Sequence, residues 1–244
     1  MSIAGKSVLV TGGGTGAGAA IAHAFADAGA RVTVSGRRMA PLEAVAGHLM
    51  TAIPVDVTDE TSVVALFEAA GPQDIVIANA GAAESAPFAK TSLEAWQQML
   101  AVNLTGVFLT LREGLRRMEG WGRLISVAST AGLKGYAYVA PYAAAKHGVV
   151  GLTRSLALET AKKGITANAI CPGFLDTEMT DRSVATIAET TGMDTAAARL
   201  SLERMNPQGR LIQPSEVAAT ALWLCAPGSE GVNGQAIALS GGEV

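Results

Sequence analysis

Thr11-Gly12-Gly13-Gly14-Thr15-Gly16-Ala17-Gly18 is the stretch on which the reading of this chain turns. Before it runs Ser7-Val-Leu-Val-Thr11, a short apolar, β-branched segment that reads as a strand. After it, residues 16–29 are rich in alanine, with Ile21 and Phe25 four apart, the spacing of one helix face. Glycines between a strand and a helix let the backbone approach a pyrophosphate closely, and the helix start offers free N–H groups and a favourable dipole. The turn therefore points to a bound dinucleotide, in the strand-to-helix context that this fingerprint requires. Gly12, Gly14, Thr15, Gly16 and Gly18 all fall within it.

Working outward, Arg31-Val-Thr-Val-Ser35 reads as a second strand. Its end is where a dinucleotide fold presents an acid to the adenosine ribose hydroxyls, roughly 20 residues beyond the glycines. This chain carries Gly36-Arg37-Arg38 there instead. Two guanidinium groups suit a 2′-phosphate, which arginine holds bidentately, better than a bare diol, so NADP(H) is favoured over NAD(H). The competing reading makes both arginines ordinary solvated residues at the start of a loop.

The alternation of strands and helices continues along the chain. A short helix is expected over 42–49, a strand over 51–55 that leads into Asp56-Val57, and a helix over 60–70. The fourth strand, over 74–78, is apolar almost throughout, as a parallel strand covered on both faces should be. It ends in Asn79-Ala80-Gly81, a small-residue loop placed where ligands sit in such sheets, outside the carboxyl ends of the strands. A long helix is expected over 92–118, interrupted in composition by Asn103 and Gly106. An asparagine inside a helix is intrinsically unfavourable, so Asn103 is either solvated, the default, or held by a functional hydrogen bond. Arg123-Leu-Ile-Ser-Val-Ala-Ser129 reads as the fifth strand with Ser129 at its end, and residues 139–162 as a helix that tolerates Pro141 in its first turn.

Tyr142 and Lys146 lie near the start of that helix, four residues apart and hence on one face, a proton donor beside a cation. A free tyrosine titrates near pH ~10, and a neighbouring positive charge favours its phenolate. A sixth strand is expected over 165–171, closed by Pro172-Gly173. Residues 175–208 are polar and rich in alanine and threonine, with Met179, Met193 and Met205 scattered among them, and read as one or two loosely packed helices forming a lid. A helix over 214–225 and a seventh strand over 235–239 complete the expected architecture. It is an α/β, Rossmann-type doubly wound parallel sheet of seven strands with helices on both faces, in a single domain over 1–244.

Composition narrows the partners. The chain is 49% hydrophobic and only 16% charged, which suits a buried core rather than a disordered chain. A net charge of −3 leaves no basic footprint for phosphate backbones, so nucleic acid is not an expected partner. Cys171 and Cys225 are too few for a disulfide framework and belong to no cluster with metal-ligand spacing, so no metal is expected. No run approaches ~18 consecutive apolar residues and none precedes Gly12, so neither a membrane span nor a signal peptide is expected, and the expected location is cytoplasmic.

With these pieces in place, the chain from about Lys6 to the C-terminus resembles the short-chain dehydrogenase/reductase family, in its compact single-domain branch. The resemblance is carried by the Thr-Gly-x-x-x-Gly-x-Gly turn at 11–18, Asn79-Ala80-Gly81, Asn103, Ser129 with Tyr142-x-x-x-Lys146, and Pro172-Gly173 with Thr177. It implies that Tyr142 is the general acid-base and that Ser129 hydrogen-bonds the same carbonyl oxygen. It implies that Lys146 holds the nicotinamide ribose and stabilises the phenolate, and that Asn103 positions a water in a proton relay. On the cofactor side, the resemblance gives the pyrophosphate to Gly12, Gly16 and Gly18, the adenine edge to Asp56 with Val57 beside it, and the adenosine ribose to Asn79, with Gly81 in the same loop. Thr177, beyond Pro172 and Gly173, is implied at the nicotinamide carboxamide. Two departures stand out: Ala78 occupies a place where many relatives have Asn, and Thr15 one where many NADP-preferring relatives have a basic residue. The second leaves Arg37 and Arg38 to carry the NADP(H) preference.

The activity so implied is NAD(P)-dependent interconversion of a small-molecule ketone and a secondary alcohol by hydride transfer, in a homotetramer assembled through the helices over 92–118 and 139–162 and the C-terminal segment. The layout resembles 3-oxoacyl thioester reductases and 3-hydroxyacyl-CoA dehydrogenases. An NAD(H)-dependent dehydrogenase of a cyclic or hydrophobic alcohol is the alternative, and from another class a non-catalytic cofactor sensor, against which Asn103, Ser129, Tyr142 and Lys146 together speak. Sugar-nucleotide epimerases usually space their glycines Thr-Gly-x-x-Gly-x-x-Gly, which this chain does not. Leu133, Tyr136, Tyr138, Phe174 and the lid methionines are expected to wall an apolar pocket. Arg182, Arg199, Arg204 and Arg210 around the lid either meet a CoA or carrier-protein phosphate or are simply solvated.

Overall fold

The computed structural model describes residues 3–244; Met1 and Ser2 lie outside the described residues. Seven strands, β1 (Ser7–Thr11), β2 (Arg31–Gly36), β3 (Thr51–Pro54), β4 (Ile75–Ala78), β5 (Gly122–Val127), β6 (Ile165–Pro172) and β7 (Ala236–Leu239), pair in parallel in the order β3-β2-β1-β4-β5-β6-β7. The helices in chain order are α1 (Gly16–Asp27), α2 (Met39–Ala46), α3 (Glu60–Ala70), α4 (Leu93–Leu100), α5 (Gly106–Arg116), α6 (Ala140–Thr160), α7 (Glu178–Thr191), α8 (Thr195–Glu203) and α9 (Pro214–Cys225). This is the expected doubly wound sheet.

The two-residue period of a strand explains why both faces are covered. Val8, Val10, Ile75, Ile77, Ile125 and Val127 point to one side, where α1, α2 and α9 bury Ile21, Phe25, Leu42 and Val217. Leu9, Val76, Ala78 and Leu124 point to the other, against Phe67 of α3, Leu109 of α5 and Val149 of α6. Fully burying a side chain such as Phe25 or Leu9 contributes about 1.5–3 kcal/mol, so one misplaced residue of register would cost the sheet several such terms. Alanines on the facing sides of α1 and α9 let these helices pack closely.

Strand order reverses between β1 and β4, and the crevice outside their carboxyl ends is where such a sheet receives a ligand. Several boundaries differ from the sequence expectation for physical reasons. The helix expected over 92–118 is three pieces: α4 passes into a π-helical turn, Ala101–Thr105, before α5 begins. α2 starts at Met39, because Pro41 fits a first helical turn. β5 stops at Val127, so Ser129 lies just beyond the strand. The segment over 175–208, expected as loosely packed helices, is packed more firmly: α7 and α8 enclose a small core of Val184, Ala198, Leu202 and Leu211, flanked by Phe174 and Ile187. Among the described residues no helix is long and apolar enough to cross a membrane.

Candidate active site

Thr11 ends β1, and its hydroxyl accepts hydrogen bonds from the backbone N–H groups of Asn79 (3.1 Å) and Ala80 (3.2 Å). Asn79 answers with its side-chain amide, which donates to the carbonyls of Thr11 (3.0 Å) and Gly12 (3.1 Å). These bonds clamp the ends of β1 and β4 together at the crevice. Gly12 has φ 66°, and a Cβ there would stand 2.8 Å from Ala80 Cα and 2.9 Å from Asn79 Nδ2, so no larger residue fits. Gly18 lies against the Gly12 carbonyl. Gly16 has φ 53°, and a Cβ on it would meet Thr177 Cγ2 at 3.2 Å, which brings the start of the lid against the glycine turn. Thr15, the N-cap of α1, makes no side-chain cap and the first turn holds no acid, so the helix start keeps its electropositive N–H groups for an anion.

Gly14 and Thr15 share a shallow pocket with Gly36, Arg37, Arg38 and Pro41. Both arginines are exposed, and among the described residues neither is held in a salt bridge. Across from them, Asp56 Oδ1 accepts from the Thr58 hydroxyl (2.7 Å) and the Thr58 N–H (2.9 Å). Those bonds, with a smaller contribution from the Arg37 charge, hold the Asp56 carboxyl below its usual range. The Val57 side chain is buried against Gly106, which leaves its backbone for a ligand.

The π turn explains Asn103. Rather than being solvated, Asn103 is 0% exposed; its amide donates to the carbonyls of Ala82 (2.9 Å) and Met99 (3.0 Å), and its Oδ1 accepts from the Ala82 N–H (3.2 Å). A π turn inside a helix frequently marks a functional position, because its extra residue re-aims side chains. Here it pins the loop that follows β4. Gly81, in that loop, would place a Cβ 2.9 Å from Asn103 Oδ1 and 3.8 Å from Lys146 Nζ. Loop, π turn and lysine therefore meet at one point.

Lys146 is 3% exposed; its Nζ donates to the Val127 carbonyl (2.8 Å) and lies 5.6 Å from the centre of the Tyr142 ring. Burial pushes the ammonium down to about 8. Ser129, whose Oγ accepts from the Ala131 N–H (3.1 Å), faces the Tyr142 phenol. Burial raises Tyr142 above its usual range and outweighs the opposing influence of Ser129. Beneath them, burial pushes the Cys171 thiol up to about 11, so it adds no charge near neutral pH.

On the lid side, Pro172 is buried, and the Gly173 N–H donates to the Leu239 carbonyl (2.9 Å). Tyr136 meets Phe174 edge-on at 6.2 Å between ring centres. Met193 and Met205 are exposed and line no wall. Arg199 is tied to Asp176 (2.7 Å) and Glu203 (3.1 Å), and Arg210, although exposed, to Glu216 (2.7 Å), so both already have carboxylate partners; Arg182 and Arg204 are exposed. Two contributors were not singled out from the sequence. The hydroxyl role of Thr11 was signalled by its place at a strand end before the glycines; the burial of Glu243 against Tyr136, 107 residues away, carries no local signal.

Comparison with known proteins agrees with this geometry. Residues 6–188 match the family model described as short chain dehydrogenase. The chain is 36% identical to the D-beta-hydroxybutyrate dehydrogenase of Cupriavidus necator, over 98% of each chain. It is 32% identical to a 3-oxoacyl-acyl-carrier-protein reductase of Aquifex aeolicus, covering 99% of this chain and 98% of that one. Among solved structures, a variant of actinorhodin polyketide ketoreductase crystallised with NADPH superposes with a TM-score of 0.90 at 36% identity, covering 98% of this chain and 97% of that chain. The chain belongs to the short-chain dehydrogenase/reductase family of NAD(P)-dependent oxidoreductases.

Proposed function

We propose that this protein is an NADP(H)-preferring reductase of 3-oxoacyl thioesters, which it converts to 3-hydroxyacyl thioesters and back. The observation that carries the reading is the convergence of Ser129, Tyr142 and Lys146 beside the end of β5, next to the loop that Asn103 pins. The glycine turn fits a dinucleotide, since Gly12 has no room for a Cβ and the start of α1 is uncapped. When bound, the nicotinamide cofactor supplies or takes the hydride.

The chain's own residues do the rest. Ser129 and Tyr142 direct hydroxyl groups at one substrate oxygen, and Tyr142 gives up its proton as that oxygen becomes an alkoxide. Burial keeps Tyr142 neutral, so the phenol is ready for reduction. Oxidation needs the phenolate, which Lys146 favours as long as it is protonated, below about pH 8. Lys146 would also hold the nicotinamide ribose, and Asn103 keeps the loop after β4 in place beside it. Asp56 and the backbone of Val57 would hold the adenine edge, Asn79 and Gly81 the adenosine ribose, and Thr177 with Pro172 and Gly173 the carboxamide. Arg37 and Arg38, exposed and without salt bridges beside the glycine turn, take the 2′-phosphate.

The substrate class rests on the relatives named for 3-oxoacyl and 3-hydroxybutyrate chemistry and on the apolar wall of Tyr136 and Phe174. Residues 175–208 act as the lid. Exposed Leu93, Phe108, Leu158 and Trp223 on α4, α5, α6 and α9 support assembly of a homotetramer.

The test is kcat/KM for acetoacetyl-CoA, acetoacetate and cyclic ketones with NADPH and NADH. Acetoacetyl-CoA with NADPH is expected to be the best pair. The double variant Arg37→Asp, Arg38→Ala is expected to lower the ratio of NADPH to NADH efficiency by about tenfold or more. An unchanged ratio contradicts the cofactor reading, and a thioester no better than the other ketones contradicts the substrate reading.

A further inference from the structure

The C-terminal residues fold back across the substrate side of the site. Gly241 and Gly242 have φ 61° and 100°, a reversal open to glycine, and a Cβ on Gly242 would lie 3.8 Å from Pro207 at the end of the lid. The turn sends Glu243 inward. Its side chain is 4% exposed. Glu243 Oε1 accepts from the Tyr136 phenol (2.6 Å) and from Lys134 Nζ (3.0 Å), and a Cβ on Gly173 would sit 3.4 Å from Oε2. A carboxylate is costly to bury unless it is paired. The pairing here reaches the loop that carries Ser129.

Proton counting gives this contact a direction. The Tyr136 hydroxyl has one proton, and it goes to Glu243, which as a carboxylate only accepts. The 2.6 Å bond between Tyr136 and Thr130 therefore runs from the Thr130 hydroxyl to the Tyr136 oxygen. Thr130 follows Ser129 directly and opens a short 3-10 turn, Thr130–Gly132, whose N-cap is Ser129 itself. The Lys134 N–H donates to the Thr130 carbonyl (3.0 Å), so both of the residues bonded to Glu243 lead back to Thr130. Meanwhile the Tyr136 ring braces Phe174 at the start of the lid.

We propose that Glu243 is a positioning residue: through Tyr136 and Thr130 it fixes Ser129 and the substrate wall formed by Tyr136 and Phe174. The inference rests on the function proposed above in one respect, that Ser129 binds the substrate oxygen. Without Glu243 the Tyr136 phenol loses its acceptor, Lys134 loses its counter-charge, and the loop over 129–136 loses its tie to the segment after β7. The glycine turn, Arg37 and Arg38 share none of these bonds, and Gly173 meets Glu243 only by van der Waals contact, so cofactor affinity stays close to that of the wild type.

Three full-length variants test this: Glu243→Ala, Glu243→Gln and Tyr136→Phe. The readouts are kcat and KM for the carbonyl substrate, the Kd of NADPH by fluorescence, and hydrogen exchange over residues 130–138. Displacing a reacting group by a fraction of an ångström is enough to predict a loss in kcat/KM of about tenfold or more for Glu243→Ala, with the NADPH Kd within about twofold of wild type. Glu243→Gln keeps an acceptor for Tyr136 and retains roughly a third or more of wild-type kcat/KM, while Tyr136→Phe reproduces the loss. Exchange over 130–138 accelerates in Glu243→Ala and not in Glu243→Gln. Wild-type kinetics in Glu243→Ala, equal losses in the Ala and Gln variants, or an NADPH Kd that weakens in step with kcat/KM would each overturn the proposal. If the wild-type protein reduces no carbonyl compound, the ketoreductase reading fails, and the exchange data alone decide whether Glu243 holds the loop. Should Glu243→Ala not fold, Tyr136→Phe against wild type decides by the same criteria.

Discussion

Replacing Asn103 with alanine tests whether the π turn exists to hold the loop after β4. The substitution removes two amide donations, to Ala82 and Met99, and the acceptance from the Ala82 N–H. The Met99 bond is buried, while the two to Ala82 are partly buried, so water recovers part of their loss. At about 1 kcal/mol net for each hydrogen bond, the variant loses about 2–3 kcal/mol of stability. For a chain of this size each kcal/mol moves the melting midpoint by ~2–4 °C, so a drop of roughly 5–10 °C is expected in scanning calorimetry. Activity falls further than stability explains, because the freed loop includes Gly81, which faces both Asn103 and Lys146. Assayed well below its own melting midpoint, the variant is expected to lose about tenfold or more in kcat. Asn103→Asp fares no better, since it has no amide to donate to Ala82. A midpoint within about 1 °C of wild type would refute the clamp, because at ~2–4 °C per kcal/mol it leaves no room for three lost bonds.

Gly12→Ala puts a methyl 2.8 Å from Ala80 Cα at a left-handed φ, and backbone cannot step aside as a side chain can. It is expected to cost about 1–3 kcal/mol in urea denaturation and to weaken NADPH binding by about tenfold or more in calorimetric titration; wild-type affinity would contradict the close-approach argument. Lys146 gives a pH prediction with a definite sign. Burial lowers it from 10.5 to about 8, so between those values the unfolded chain binds more protons and this group makes stability rise with pH. The penalty is complete below about pH 8 and gone above 10.5. The stability of Lys146→Met relative to wild type therefore falls across that window, by up to about 3 kcal/mol, and a difference that stays flat with pH would contradict the buried-cation reading.

The parts of the fold that were legible in the sequence are those set by short-range repetition. Alternation along Val8, Leu9 and Val10 assigns two covered faces to β1, and the same holds for Ile75, Val76 and Ile77 of β4. The glycine turn was legible because a close backbone approach leaves glycine as the residue that fits, as the space around Gly12 shows. Tyr142 and Lys146 were legible as a pair because four residues make one helical turn. The π turn was not, since one extra residue barely disturbs the apolar spacing on either side, and the reason for it, Ala82, lies 21 residues from Asn103. The Arg199–Glu203 tie had the i,i+4 spacing of a helical ion pair, but the short bond to Asp176 spans 23 residues of sequence. The titration of Tyr142 and Lys146 followed burial, which sequence spacing does not report.

The role proposed for Tyr142 is to pass the proton in a site that the chain has already built. It is tested most directly by the turnover number of Tyr142→Phe with NADPH and a 3-oxoacyl thioester, measured alongside NADPH affinity. The account predicts a loss of about 10²–10⁴-fold in kcat, the range for a removed general acid, with the NADPH Kd within about twofold of wild type. A variant that keeps more than about a tenth of wild-type turnover would contradict it, because no general acid contributes so little.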